Sequence, residues 1–356
     1  MAGPERLTIL LTGAGAPGVR GSLFALRHNP DDRPVRVVGV DLDPEAVGRH
    51  FLDAFHVLPA PERPEYLDRL RMICTTERID LVVPQTTREI AVLSAAREGL
   101  REEGITVMVG TSDSVRLAND KWHVIKAFEK ASLPAPRCYR VQTPSALIDA
   151  ARELGYPSQP VVVKPPFSSG MRGVRVLRES AWDVARFLAE KPTGLEITLD
   201  ELLGILERGA SWPELLLMEY LPGEEYSVDA FIGRASCVAL PRLRARIRSG
   251  ISFITHVVNE PTMSEYTLRV AKDLGLEYAF GFQYKRDVYG VPKVLECNPR
   301  VQGTMVASVF AGVNVIWLGV REAIGAPSQE IQTPRPASFY RFWGGIGVNE
   351  NGEHAI

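Results

Sequence analysis

Short apolar runs alternate with amphipathic stretches through the first third of the chain. The apolar runs lie at residues 7–11, 35–40, 79–84 and 105–110. Runs of this length predict buried strands. Residues 88–102, which separate the last two runs, are rich in alanine and predict a helix. This alternation predicts an open, mostly parallel α/β sheet of Rossmann-like type over residues 1–112.

The hydrophobic pattern changes after residue 112, where helices and strands no longer alternate regularly. This pattern predicts an α+β region over residues 113–356. Helices are predicted at residues 121–131 and 145–154, and strands at residues 161–164, 174–177 and 215–220. A hairpin is predicted whose first strand begins at residue 281, whose turn lies at Gly290 and whose second strand is the stretch 294–303.

Composition narrows the class of protein. The chain has 356 residues, of which 45% are hydrophobic and 24% charged, and its net charge is −2. A near-neutral chain offers no general attraction for nucleic acid or an anionic membrane. No stretch approaches the ~20 apolar residues of a membrane span. We expect small-molecule partners, with no nucleic acid and no membrane, and leave the oligomeric state open with a homodimer among the arrangements considered.

The cysteines are few and scattered. Cys74, Cys138, Cys237 and Cys297 show neither metal-ligand spacing nor a dense disulfide framework. A reducing cytoplasm is the simplest compartment for such a chain, and we therefore expect a cytoplasmic location.

A glycine turn follows the first predicted strand. Gly13, Gly15 and Gly18 open a predicted helix, and Asp41 closes the next strand. This arrangement matches the dinucleotide-binding fingerprint. An NAD(P)-dependent oxidoreductase is therefore one functional hypothesis.

The strongest candidate chemistry lies near the C-terminus. Alternate side chains of a strand share a face, so Glu296, Asn298 and Arg300 are predicted to point the same way. Carboxylate and amide oxygens suit Mg2+, and a guanidinium suits phosphate or carboxylate oxygens. Gln283, on the preceding strand, offers another oxygen. The alternative is a solvated polar face on a half-buried strand.

A second candidate is Lys164, which ends an apolar strand before a Ser- and Gly-rich loop at 165–173. A lysine in this position needs a partner for its charge, and phosphate oxygens are suitable. The loop can bring backbone N–H groups close to anionic oxygens and can act as a lid. It lacks the Walker A pattern, and an ordinary flexible hairpin is the alternative.

Gln283 followed by Glu296-x-Asn298-Pro299-Arg300 resembles the ATP-grasp superfamily, in the branch of the carbamoyl phosphate synthase large subunit. The resemblance implies an N-terminal pre-ATP-grasp domain (1–112) and a two-lobed ATP-grasp domain (113–356) whose lid subdomain spans about 134–220. It implies ATP and Mg2+ or Mn2+ as cofactors. The metal ligands would be Gln283, Glu296 and Asn298.

The resemblance also implies roles in nucleotide binding. Lys121, in an Asp-Lys pair, and Lys164 would contact the phosphates, and Ser169 and Gly170 would belong to the lid. Backbone groups of Glu219, Tyr220 and Leu221 would contact adenine, and Glu225 would bind the ribose hydroxyls. A plain hairpin turning at Pro222-Gly223 is the alternative reading of this last segment.

Alternating arginines fill the stretch from Arg242 to Arg248. On a strand, four guanidiniums would share one face and repel unless an anion or acids lie opposite. A solvated, salt-bridged face is the default interpretation. The resemblance makes Arg248 a substrate contact, and Arg300 and Lys164 the groups that face developing negative charge.

The activity implied is that of an ADP-forming ligase that activates a carboxylate as an acyl phosphate for attack by an amine or a similar nucleophile. Carbamoyl phosphate synthase-like carboxyphosphate or carbamate chemistry is an alternative, although that large subunit has two ATP-grasp halves and this chain has one. The oxidoreductase and a non-catalytic nucleotide-binding module are the remaining hypotheses.

Overall fold

The computed structural model describes residues 5–168, 170–179, 184–189, 194–349 and 352–355. The chain forms two compact units. Unit 1 comprises residues 1–119, 225–283 and 297–356, and unit 2 comprises residues 120–224 and 284–296. The units interleave along the sequence, whereas the predicted domains 1–112 and 113–356 are continuous, and that domain boundary remains a prediction.

The N-terminal part of unit 1 is the predicted α/β sheet. Its four strands have the order β3-β2-β1-β4, and all neighbours in this sheet are parallel. The elements are β1 (Leu7–Thr12), α1 (Val19–Arg27), β2 (Val35–Asp41), a 3-10 helix (Val47–His50), β3 (Ala54–Val57), α2 (Tyr66–Glu77), β4 (Leu81–Val83), α3 (Thr87–Glu102) and α4 (Ser112–Asn119).

The strand predicted at residues 105–110 is wrong in extent. Only Val107 forms a bridge there, in parallel orientation with Val82. Val107, Met108 and Val109 are buried, and this burial accounts for the apolar run without a series of β-sheet hydrogen bonds. An apolar run alone does not distinguish a strand from a buried connection.

Unit 2 has its own five-stranded sheet, with the order β5-β9-β6-β7-β8. β6 is antiparallel to both β9 and β7. The elements are α5 (Lys121–Lys130), β5 (Cys138–Val141), α6 (Pro144–Glu153), β6 (Val161–Lys164), β7 (Arg175–Leu177), α7 (Val184–Ala189), β8 (Glu196–Ile197), α8 (Leu199–Leu206) and β9 (Leu215–Glu219).

The C-terminal part contains a six-stranded sheet of order β14-β13-β10-β11-β12-β15. The predicted hairpin is present as β13 and β14, and Gly290 has a φ of 79° in its turn. The elements are β10 (Glu225–Ile232), β11 (Cys237–Arg248), β12 (Ile251–Val257), α9 (Pro261–Asp273), β13 (Tyr278–Arg286), β14 (Pro292–Asn298), α10 (Ala307–Phe310), α11 (Val315–Ala323), β15 (Ala337–Tyr340), β16 (Ile346–Asn349) and β17 (Gly352–Ala355).

Local sequence explains where several helices begin. The Asp120 side chain accepts a hydrogen bond from the backbone N–H of Trp122 and caps α5. Thr143 caps α6 directly before a proline, and Thr198 forms a capping box with Glu201 at α8. These side chains satisfy backbone donors that have no partner within the helix.

Each unit has a separate apolar core. In unit 1, one cluster joins β1, α1 and α11 around buried Trp317, and another lies under α2 and α3. In unit 2, α6 and α8 cover a sheet face formed by residues such as Val163 and Leu217. No helix in the described ranges is long and apolar enough to cross a membrane.

Candidate active site

Unit 2 brings together two buried lysines and a carboxylate. Lys121, at the start of α5, and Lys164, at the end of β6, are 4% and 5% exposed. The Lys121 ammonium lies 3.6 Å from Glu296 Oε2. The Lys164 ammonium donates to the carbonyl oxygen of Leu295 at 3.0 Å. β14 thus places Glu296 beside Lys121 and the Leu295 carbonyl beside Lys164, and the predicted roles of these residues remain predictions.

Burial makes this cluster costly without an anionic ligand. Ammonium groups removed from water need hydrogen-bond partners and compensating negative charge. Lys121 also donates to the carbonyl oxygen of Ser168 at 3.0 Å and to its hydroxyl at 3.2 Å. These contacts tie the first turn of α5 to the start of the glycine-rich loop. Phosphate oxygens are suitable anionic partners for such ammonium groups.

Asp120 fixes the position of its lysine neighbour. Its side chain is almost fully buried and accepts from the backbone of Trp122 at 2.8 Å and from Nδ1 of His123 at 2.7 Å. The backbone N–H of Lys121 donates to the carbonyl of Pro166 at 3.2 Å. In the Asp-Lys pair, Asp120 thus caps the helix, and the capped first turn fixes the position of Lys121.

The loop after β6 depends on left-handed backbone. Gly170, Met171 and Gly173 have φ values of 63°, 61° and 74°. A Cβ atom at Gly173 would lie 2.6 Å from the Pro165 side chain, so only glycine fits there. Gly170 is exposed, while Ser169 lies outside the described residues, so its predicted lid role is not addressed. The lid assignment remains a prediction.

The predicted adenine segment follows β9. Leu221 is buried, and the Glu219 carboxylate accepts from the backbone of Arg137 at 2.9 Å and from Lys293 at 2.7 Å. The Tyr220 ring has Arg178 and Lys285 at 5.5 and 5.2 Å from its centroid. With the Glu219 side chain occupied, only backbone groups are left to recognise a base edge.

The arginine-rich strand differs from the prediction of one solvated face. The register of β11 against β12 shifts between Leu243 and Arg246. Arg242, before the shift, and Arg244, within it, are buried. Arg242 forms a bidentate pair with Asp229, with bonds of 2.5 and 2.7 Å, and Arg244 pairs with Glu225. The expected salt bridges are therefore present for these two arginines, but the expected solvent exposure is wrong, because both guanidiniums are buried.

Arg244 contacts two residues of unit 1 that are predicted to bind the nucleotide or the metal. Its guanidinium pairs with Glu225, the predicted ribose acid, and lies 3.4 Å from Oε1 of Gln283, a predicted metal ligand. Arg248 lies beyond the register shift, exposed, with its guanidinium carbon 5.0 Å from the centroid of the Phe253 ring. The roles of these residues remain predictions.

Arg300 lies outside the strand from which its orientation was inferred. β14 ends at Asn298, and Arg300 folds back to donate to the Asn298 side-chain oxygen at 3.0 Å. It also donates to the Thr87 hydroxyl and the Val301 carbonyl, each at 3.0 Å. The strand-alternation argument therefore fails for Arg300, and side-chain hydrogen bonds set its orientation instead.

The predicted metal ligands are one carboxylate and two amides. Glu296 is the last residue of unit 2, and Gln283 and Asn298 belong to unit 1. The part of the chain that the structure describes has no cluster of three or more His, Cys, Asp or Glu side chains arranged to hold a metal. The Asn298 side-chain oxygen accepts from Arg300 at 3.0 Å. The metal assignment remains a prediction.

The N-terminal glycine turn is closed by its own acid. Asp41 Oδ2 accepts from the Gly15 backbone at 2.6 Å, and its other oxygen accepts from Asp43 at 3.0 Å. A Cβ atom at Gly18 would lie 2.6 Å from the Cα atom of Gly303. The fingerprint glycines thus allow close packing within unit 1, and the carboxylate that would bind a ribose holds the turn.

Arg341 is the residue that sequence reasoning missed. Its guanidinium donates to the carbonyl oxygens of Pro17 at 2.7 Å and Gly303 at 3.0 Å, where the glycine turn meets the segment after Arg300. The only signal in the sequence is the run Tyr340-Arg341-Phe342-Trp343, which carries a cation among aromatics in a region with no other motif.

Family models match both ends of the chain. Residues 9–108 match the model described as "PylC-like, N-terminal domain", and residues 211–341 match the one described as "ATP-grasp in the biosynthetic pathway with Ter operon". The second match includes Glu219, Glu225 and the whole of β13 and β14.

Curated relatives are large chains of carbamoyl phosphate synthase. The protein from Clostridium perfringens is 25% identical over 312 residues, which is 83% of this chain and 26% of the relative. That from Thermus thermophilus is 27% identical over 249 residues, or 66% of this chain and 22% of the relative. The chain thus spans about a quarter of the length of the curated relatives it matches.

Solved structures share the fold. The biotin carboxylase domain of Hydrogenobacter thermophilus 2-oxoglutarate carboxylase, in complex with MgADP, ADP and bicarbonate, has a TM-score of 0.68 at 16% identity, covering 91% of this chain and 71% of that one. The N5-carboxyaminoimidazole synthetase from Staphylococcus aureus, complexed with ADP, has a TM-score of 0.67 at 16% identity, covering 95% and 84%.

The relatives and the solved structures give no support to the nicotinamide hypothesis, whose fingerprint acid is already engaged. Residues 211–341 thus match an ATP-grasp family model, and the chain is similar to the large chains of carbamoyl phosphate synthase.

Proposed function

We propose that this protein is an ATP-dependent, ADP-forming ligase that activates a carboxylate as an acyl phosphate and transfers the acyl group to an amine or a similar nucleophile. The observation that carries this proposal is the buried cluster of Lys121, Lys164 and Glu296 in unit 2. Two cations and one carboxylate at the base of a glycine-rich loop match the charge of a metal-bound polyphosphate.

The side chains of the protein would position the nucleotide and the metal and would not themselves form covalent intermediates. Lys121 and Lys164 would hold phosphate oxygens, and the backbone after Glu219 would contact the adenine. Glu296 would be the carboxylate ligand of Mg2+, with amide oxygens of Gln283 and Asn298 as further ligands. When bound, the metal supplies neutralisation of phosphate charge. Phosphoryl transfer depends mainly on such positioning and electrostatic stabilisation.

The reaction balances without an enzyme nucleophile. A carboxylate oxygen of the acid attacks the γ-phosphorus, the bond to the β,γ-bridging oxygen breaks, and ADP leaves with that electron pair. The amine lone pair then attacks the acyl carbon of the acyl phosphate, the C–O bond to phosphate breaks, and the ammonium proton passes to solvent. Arg300, held by Thr87 and Asn298, would face the negative charge that develops during phosphoryl transfer.

Carboxyphosphate or carbamate chemistry is a second candidate, in which bicarbonate replaces the organic acid. The likeness to carbamoyl phosphate synthase large chains favours it. Since this chain spans about a quarter of those relatives, the complete synthesis carried out by the longer proteins does not transfer to it.

An ADP-release assay tests the proposal. Purified protein with MgATP is offered pooled organic acids or bicarbonate, each with and without pooled amines, and products are identified by mass spectrometry. We expect acid-dependent ADP release that is lost in Lys121→Met. Lys126→Met is the matched control, because Lys126 lies in the same helix but is half-exposed and pairs with Glu129.

A bicarbonate-only response would select the second candidate. If no acid promotes ADP release, or if Lys121→Met behaves like the wild type, the proposed function is wrong. The same outcome would favour the non-catalytic nucleotide-binding module.

A further inference from the structure

A cavity of about 510 Å3 lies within unit 1, far from the predicted ribose acid. β10 begins at that acid, Glu225, and ends at Ile232 on the cavity wall, roughly 20 Å away at the rise per residue of a strand. The polar part of the wall consists of three arginines, two glutamates and a tyrosine, namely Arg97, Arg101, Arg234, Glu277, Tyr278 and Glu322. None of these residues takes part in the proposed ligase reaction, so the cavity is a candidate for a second site.

One residue of the cavity wall has an unfavourable backbone conformation. Tyr278 is the first residue of β13, and its φ of 60° lies in the left-handed region that bulky residues rarely adopt. The guanidinium carbon of Arg97 lies 5.8 Å from the centroid of its ring. Residues that their surroundings hold in this region cluster at functional sites, including sites that clamp a ligand. The strain at Tyr278 therefore points to a binding role for the cavity.

The Tyr278 hydroxyl is an available hydrogen-bond donor. In the part of the chain that the structure describes, this hydroxyl has no hydrogen-bond partner. Burial raises the pKa of the phenol above its ordinary value, and the two glutamates of the wall add to the rise while Arg97 and Arg234 oppose it. The phenol thus keeps its proton at neutral pH and can donate to a ligand.

Two ion pairs of the wall leave donors and acceptors unused. Glu322 Oε1 accepts from Nε of Arg234 at 2.5 Å, and Glu277 Oε2 accepts from Arg97 at 2.6 Å. Within the described ranges, the terminal nitrogens of Arg234 and the second oxygen of each glutamate have no hydrogen-bond partner. A Cβ atom at Gly233 would lie 2.6 Å from the second oxygen of Glu322, so the glycine leaves room for this carboxylate. The wall therefore offers a guanidinium fork directly beside a carboxylate oxygen.

We infer that this cavity binds a free α-amino acid, whose carboxylate contacts Arg234, whose ammonium contacts Glu322 and whose side chain lies against Tyr278. The inference goes beyond the proposed function and does not depend on it. Neighbouring groups of opposite sign match a zwitterion, because the two charges of an α-amino acid are also neighbours.

Ligands with a single charge fit the cavity less well. A simple anion would face the glutamates, and a simple cation would face the arginines, so each would meet groups of its own sign. Val107 and Ile232 add an apolar part to the wall. A few placed polar groups beside apolar surface are typical of small-molecule sites, and the apolar part suits the side chain of an amino acid.

Calorimetric titration of the common L-amino acids, one at a time, into the full chain without ATP tests the inference. We expect saturable binding of at least one of them. The tightest binder is then compared with its N-acetyl derivative, which lacks the ammonium, and with its amide, which lacks the carboxylate. Loss of either charge should raise Kd by about tenfold or more, as expected when a charged hydrogen bond is lost.

Two variants test whether the amino acid binds in the cavity. Arg234→Gln removes the guanidinium fork and should raise Kd by about tenfold or more. Arg116→Gln is the matched control, because Arg234 and Arg116 are 70% and 60% exposed and each pairs with one carboxylate, but Arg116 does not line the cavity. Tyr278→Phe keeps the ring, removes the hydroxyl and should raise Kd by about threefold or more.

Three results would each overturn the inference: no saturable binding of any amino acid, equal affinity for the amino acid and its N-acetyl derivative, or an unchanged Kd in Arg234→Gln. ADP release separates the inference from the proposed function. If an amino acid binds and Arg234→Gln weakens it, but no acid promotes ADP release, the proposed function fails and the cavity site stands. If acids promote ADP release but no amino acid binds without ATP, the ligase stands and the inference fails.

Discussion

At the residue scale, the sequence identified chemical groups better than it identified their partners. The pairing of a strand lysine with a distant Asp-Lys motif is supported by the way Lys121 and Lys164 both meet β14. Asp41 and Arg300 were expected to face ligands, yet both have protein partners. Side-chain hydrogen bonds across long sequence separations decide such outcomes, and no local pattern encodes them.

Glu89 gives a prediction at this scale. It is buried and accepts from the hydroxyls of Thr12 and Thr86, and burial raises its pKa above the ordinary 4.5 while those hydrogen bonds oppose the rise. The folded state therefore holds the proton more tightly than the unfolded state. Between pH 4.5 and the pKa of Glu89 in the folded state, the free energy of unfolding should therefore fall as the pH rises.

Urea unfolding of the wild type and Glu89→Gln, at a pH near the lower limit of that window and again near neutrality, measures the effect. We expect the wild type to lose more stability between the two pH values than the variant, because glutamine has no proton to lose. An equal pH dependence in both proteins would contradict the raised pKa.

At the element scale, capping and apolar periodicity account for most helices and strands. The structure confirms the α/β and α+β classes and the late hairpin. The run at 105–110 was predicted as a strand because buried connections and strands share the same composition. The β11 register shift was also beyond sequence reasoning, since a bulge depends on its partner strand.

The glycine turn before α1 gives a prediction at the element scale. Gly18 has an ordinary φ of −88°, so an alanine there is disfavoured only by contact. Its Cβ would lie 2.6 Å from Gly303 Cα, which requires backbone to move. We expect Gly18→Ala to lower the free energy of unfolding by about 1–3 kcal/mol, the usual cost of overpacking.

Gly99→Ala is the matched control. Gly99 lies inside α3 with nothing within 4 Å of its missing Cβ, so alanine should stabilise the helix. The expected gain is about 1 kcal/mol in urea unfolding. A neutral Gly18→Ala would show that the close approach to Gly303 is not a constraint.

At the scale of the whole molecule, motif order carried the family assignment, and the comparisons confirm it. The interleaving of the two units could not be predicted, because units that exchange segments leave no compositional boundary. Arg341 was missed for a related reason. Its hydrogen bonds join the carbonyls of Pro17 and Gly303, which lie far apart in sequence.

Titration of MgATP into the wild type, Lys164→Met and Lys126→Met tests the central claim most directly. Buried cations of unit 2 should bind the nucleotide phosphates, so we predict saturable binding to the wild type and to Lys126→Met. Lys164→Met should raise Kd by about tenfold or more, as expected when a charged hydrogen bond is lost. Unchanged affinity in Lys164→Met, or no MgATP binding to the wild type, would contradict the account.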